Sequence, residues 1–167
     1  MLALTIAIAG ALLVLFYGTT IAPQQAAMQS SAQANAVAES LLSYRSSVIQ
    51  YLTQNPAFTG TSIPDSSLTF QYGYQRNPAW TNYIVGHVPY VYSTMVASAI
   101  PVSPGTTAYT VSAASIVSAI YSMTQNSPAV GIVSSGAIVN PALLNNAFLP
   151  VSVAAAIPAG SLVIAGY

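Results

Sequence analysis

The sequence predicts an α+β protein: a transmembrane helix over residues 1–22, a long amphipathic helical stalk over residues 23–56, and a small mixed β-sheet domain over residues 57–167 with one further helix. Three observations predict it. The run Leu2–Ala22, LALTIAIAGALLVLFYGTTIA, carries no charged side chain. Apolar residues then recur at Val37, Leu41, Tyr44, Val48 and Leu52, the three-to-four step of one helix face. Beyond residue 57 the apolar runs become short and are punctuated by Gly, Pro, Asn and Ser, as strands and turns are.

At 1.5 Å per residue the first run spans roughly 30 Å, the thickness of a bilayer's hydrocarbon core, and a helix satisfies its backbone internally. Three other readings compete with a membrane anchor. A cleaved secretory signal wants a basic n-region and a small-residue exit, but no Lys or Arg precedes Arg45 and Thr20-Ile21-Ala22 runs into Pro23. A buried core helix seldom stays apolar on all sides for so long. The packing helix of a filament subunit would bury the same surface against sister subunits. The preferred orientation puts the N-terminus in the cytoplasm and the bulk outside, although no basic residue flanks the run to fix it.

Pro23 is tolerated in a first helical turn. From there no Gly or Pro interrupts the chain until Pro56, and Asn55-Pro56 ends the helix because a residue before proline leaves the α region. Residues 24–36 offer only Ala and Met28 as apolar groups, which suits a thin stalk or a lateral contact. Residues 57–82 read as loop with one short strand at Leu68–Tyr72. Tyr83–Ser93 reads as a hairpin turning at Gly86-His87, with Pro89 confined to an edge. After a linker over 99–108, Thr110 or Ser112 caps a helix whose face is Ala113, Ile116, Val117, Ile120 and Tyr121. Val130–Val133 and Ala137–Val139 flank Ser134-Ser135-Gly136 as a second hairpin, closed by Asn140-Pro141. Phe148–Val153 and Ser161–Ala165 read as two last strands.

Charge is almost absent. Glu39, Arg45, Asp65 and Arg76 make up 2% of 167 residues, against about 25% in an ordinary domain. Without lysine there is no basic cluster to hold phosphates, so nucleic acid is excluded as a partner. Such depletion suits exposure to an acidic exterior, where carboxylates would neutralise and leave cations unbalanced. Cysteine is absent too, and with it disulfides, thiolate nucleophiles and Cys metal sites.

The inventory of catalytic groups is short. His87 is the one histidine and falls at a turn; a triad would need it beside Asp65 or Glu39, and no Gly-x-Ser-x-Gly elbow is present. Glu39 and Asp65 fall on different elements, so paired-carboxylate chemistry is not expected. One histidine and two carboxylates are too few for a metal cage. The expectation is no catalytic, cofactor-binding or metal-binding residue, and no enzyme. Glu39 and Arg45 lie six residues apart and do not share a helix face. Arg76 lies among aromatics in what reads first as a packed loop, with stacking on Trp80 or Tyr74 as the alternative. Tyr83, Tyr90 and Tyr92 fit either an exposed aromatic ladder or a half-buried hairpin.

Several stretches resemble a known family: Leu41–Phe70, Asn82-Tyr83, Pro89-Tyr90-Val91-Tyr92, Val130–Pro141 and Leu149–Val163. They are similar to the small PilM proteins of conjugative-plasmid type IVB thin-pilus systems, distinct from the actin-like proteins that share the name. The resemblance implies a single-pass inner-membrane protein with a periplasmic domain, belonging to a pilin transport apparatus or basal body. Its partners would be the membrane, through residues 2–22, and other pilus assembly proteins or pilin subunits, with self-association as a further expectation. No catalytic residue carries over. The alternative is a pilin or pseudopilin-like subunit of an extracellular filament. An apolar helix at the start and a proline near position 22 favour it; Thr5, where bacterial major pilins usually carry glutamate, and the lack of a leader disfavour it.

Overall fold

The structure is a computed structural model and describes residues 17, 21–102, 111–125, 129–140 and 145–166. The expected span Leu2–Ala22 therefore falls outside the described residues except at Tyr17, Ile21 and Ala22. Among the described residues no helix is long and apolar enough to cross a membrane. The chain divides into two units, residues 1–32 and 33–167.

Helix α1 covers Ala22–Gln54. In the first unit its residues 24–29 are exposed, Met28 among them at 70%. In the second unit the periodic face is buried: Val37, Leu41, Tyr44, Val48 and Leu52, with Ala34 and Ala38 between them. The helix stops where Pro56 forbids it to continue, and both the backbone N–H and the side-chain amide of Asn55 donate to the Tyr51 carbonyl, each at 2.9 Å.

Strands β1 (Trp80–Val85) and β2 (Val88–Val96) form the first hairpin. Its two turn residues, Gly86 at φ 55° and His87 at φ 65°, both take positive φ, as a type I′ turn requires. Helix α2 (Ala113–Met123) is capped by Ser112, whose hydroxyl accepts from the Ser115 N–H at 3.1 Å; Thr110 lies outside the described residues. Strands β3 (Val130–Ser134) and β4 (Ala137–Asn140) turn through Ser135 and Gly136, again both at positive φ. Then follow β5 (Asn145–Phe148), a short helix α3 (Val151–Ala156) and β6 (Ser161–Ala165).

The six strands form one sheet in the order β1-β2-β6-β3-β4-β5. The expected mixed sheet is corrected: every pairing is antiparallel. The crossover through α2 does bring β3 round parallel to β2, but the two are not neighbours. The C-terminal strand enters between them and runs against both, so the parallel relation never becomes a hydrogen-bonded pair. Pro89, expected at an edge, sits on an interior strand. It is tolerated because it faces Ile84 across an outward-pointing pair: the Ile84 N–H donates to Thr61 at 2.8 Å, and the Pro89 carbonyl accepts from Gly166 at 3.0 Å.

Two more expectations are corrected. Leu68–Tyr72 is not a strand but irregular chain after a 3-10 turn at Asp65–Ser67. Its alternation drops two anchors, Leu68 and Phe70, onto the core from a loop. Phe148–Val153 is not one strand either: Pro150 starts α3 after β5 has ended. The proline's fixed φ suits a helix start, and Val153 is then carried under the sheet, fully buried. Among the described residues the sheet domain thus contains two α-helices rather than one.

Alternation along the strands sends side chains to two cores. Trp80, Ile84, Val91, Leu162 and Ile164 face α1 and α2. Tyr90, Val133, Ile138 and Val163 face α3, with Leu149, Val153 and Ile157. Where β2 and β6 slip register between Tyr92 and Val96, Ser93 bridges the irregularity: its hydroxyl donates to the Met95 carbonyl at 2.6 Å and accepts from the Leu162 N–H at 2.9 Å.

Candidate functional site

The residues capable of chemistry are dispersed and, where they interact, are tied into the scaffold. Asp65 accepts from the Tyr44 hydroxyl at 2.7 Å and pairs with Arg76. Tyr44 in turn accepts from the Asn82 side-chain amide at 2.9 Å, and Asn82 exchanges two hydrogen bonds with the Ile63 backbone, at 2.8 and 2.9 Å. Trp80 donates to the Ser40 hydroxyl at 2.9 Å, and Tyr74 to the Ser40 carbonyl at 3.2 Å. This network sews the irregular segment 55–79 to α1 and β1, which explains why so polar a loop is ordered without secondary structure. Burial, and then the hydrogen bond to Asp65, push the Tyr44 phenol well above its ordinary range; burial also raises Tyr74.

Arg76 pairs with Asp65 within the packed loop; the alternative of stacking on Tyr74 gives way to Phe70, whose ring lies against Tyr74 with centroids 5.0 Å apart. Glu39 is exposed on α1. Arg45 donates through Nε and Nη2 to the Gly166 carbonyl, at 3.3 and 2.9 Å. The three tyrosines of the first hairpin follow the half-buried pattern: Tyr90 is buried, and Tyr83 and Tyr92 pack against the core beneath α3.

His87 lines a cleft of about 420 Å³ between the loop Phe58–Thr61, the hairpin tip and Ser152 of α3. No carboxylate is among the residues that line this cleft. Among the described residues no group of three His, Cys, Asp or Glu side chains stands close enough to hold a metal. What the described surface offers instead is hydrogen-bonding and apolar: Tyr72 stands fully exposed beside Gly73 at φ 84°, Val151 is 88% exposed at the start of α3, and Met95, Val96 and Met123 are each over a third exposed. Sequence reasoning missed Tyr72 and Val151 because an aromatic inside an alternating run and a valine after proline both read as strand residues.

The described residues form a small antiparallel α+β lobe with its carboxylates separated and a nearly chargeless, partly apolar surface. The PilM family model matches residues 9–165, and the chain belongs to that family, the small proteins of type IVB pilus systems. Membership carries a role connected with pilus biogenesis. Among solved structures, a PilM protein from Escherichia coli B7A is similar at 16% identity, covering 85% of this chain and 94% of that one with a TM-score of 0.48. No curated protein matches significantly.

Proposed function

We propose that this protein is a non-enzymatic, inner-membrane component of a type IV pilus assembly or basal-body apparatus, working through protein contacts. Family membership over residues 9–165 is the observation that carries the reading. Three features support it. The run Leu2–Ala22 is long and apolar enough to cross a bilayer as a helix. The titratable groups of the described lobe are separated or engaged in scaffolding, which leaves little material for catalysis. Tyr72 is of the type that anchors interfaces, and Val96 and Val151 add exposed apolar surface. In this reading the bulk of the chain is periplasmic, and the pilus serves conjugation.

A second reading, a pilin-like filament subunit, draws on one specific feature: a long N-terminal helix leads into an antiparallel sheet domain. Shearing pili from cells and measuring the epitope-tagged protein in filament and membrane fractions separates the two. Recovery with the membrane, and protection from external protease until the outer membrane is opened, is the expected result. Abundant recovery in filaments overturns the assembly reading in favour of the subunit.

A further inference from the structure

Arg45 is a half-buried cation that neither acidic side chain of the chain reaches. Only two acidic side chains exist, Glu39 and Asp65. Asp65 is committed to Arg76 and Tyr44. Glu39 lies six residues before Arg45, about 240° around the helix, where it cannot reach the guanidinium. Arg45 donates to a neutral oxygen, the Gly166 carbonyl, which two of the fork's five donors share. Burial lowers the Arg45 pKa, as expected of a cation partly withdrawn from water.

The same arginine lines a cleft of about 370 Å³ between α1 and the C-terminal end of α2. Leu42, Ile49 and Met123 make its apolar wall; Thr124 and Gln125 add a hydroxyl and an amide. Gln125 stands at φ 54° just past the helix end. A guanidinium beside an apolar wall matches a carboxylate carried next to an aliphatic side chain, and the planar fork binds carboxylate oxygens in pairs. We propose that this cleft is a docking site for an acidic side chain flanked by apolar residues on a partner polypeptide. The choice of a polypeptide rests on the assembly reading above; the preference for a carboxylate rests on Arg45 alone.

The full chain in a neutral detergent, labelled with 15N, is titrated with the peptide acetyl-Leu-Glu-Leu-amide, and the Arg Nε–Hε resonances are followed by NMR. With two arginines in the chain, the Arg45 signal is assigned through Arg45→Lys. The expected result is a saturable shift of Arg45 with Arg76 unmoved, and binding of the isosteric acetyl-Leu-Gln-Leu-amide weaker by about tenfold or more. Gln125→Glu places a carboxylate in the cleft while keeping the Gly166 contact, and should abolish binding with the unfolding midpoint unchanged. The titration is repeated with a Gly-Ser extension after Tyr167, as a control for the terminal carboxylate one residue beyond Gly166. A flat titration, equal binding of the Gln peptide, binding that survives Gln125→Glu, or binding seen only with the extension each overturns the proposal. None of these outcomes alters the fractionation result, so the two readings fail separately.

Discussion

Tyr44 joins the periodic face of α1 to the irregular segment that follows it. Its ring belongs to the core and tilts against Phe70 at 6.0 Å, while its hydroxyl links Asp65 to Asn82. Replacing it with phenylalanine keeps the packing and removes only the hydroxyl, leaving Asn82 still bonded to Ile63. The expected cost is about 1–3 kcal/mol, read as a lower urea midpoint with an unchanged m value. A pH dependence follows from the same group. Burial holds Tyr44, Tyr74 and Tyr92 above their ordinary phenol value, so the folded state keeps protons that the unfolded chain gives up. The stability they contribute is full below about pH 10 and drains as pH climbs toward the folded values. Urea midpoints should therefore hold level to about pH 9 and fall beyond pH 10, and Tyr44→Phe should make that alkaline fall shallower.

Among the elements, α3 is the one held by least. It is six residues long, has no side-chain cap, and buries one residue, Val153. Its remaining tie is backbone: the Val153 and Ala154 N–H groups both reach the Pro150 carbonyl at 2.9 Å. Val153→Ala is expected to cost about 1–3 kcal/mol. Hydrogen exchange should show the Ala154 and Ile157 amides opening first while the buried half of α1 stays protected; uniform acceleration across the molecule would count against an independently opening α3. The two hairpins behave oppositely. Their turns, Gly86-His87 and Ser135-Gly136, are stated in the local sequence, so both were legible to within a residue or two. The Leu68–Tyr72 and Phe148–Val153 runs were misread because an apolar alternation only says which side chains are buried. It does not say whether the backbone between them finds a ladder.

At the scale of the whole molecule, the scarcity of charge sets how the protein meets its surroundings. One ion pair, Asp65–Arg76, is present among the described residues, and both its side chains are partly exposed at 31% and 43%. Pairs of that kind contribute at most about 1 kcal/mol. Raising salt from about 0.05 to 0.5 M, which shortens the screening length severalfold, should therefore move the melting temperature by no more than about 2 °C. Protonating both carboxylates and His87 leaves two arginines and one histidine charged, so acid adds little self-repulsion. Melting at pH 4 close to that at pH 7 is expected; a marked loss in acid would remove the link drawn between charge depletion and an acidic exterior. Of the candidate site, the scarcity of catalytic groups could be read from the sequence. The partnerships could not, because Arg45 meets Gly166 and Tyr44 meets Asp65 across 121 and 21 residues.

By itself the sequence determined the buried face of α1, the two hairpin turns, the Ser112 cap and the near-absence of charge, since each depends on spacing, turn chemistry or composition within a few residues. Only the tertiary structure decided that the last strand lies between β2 and β3, that every pairing in the sheet is antiparallel, and that Arg45 meets the Gly166 carbonyl. Those outcomes depend on which distant segment fills a space that others leave open. A gap between two strands and a contact across 121 residues exist only once the chain has closed upon itself.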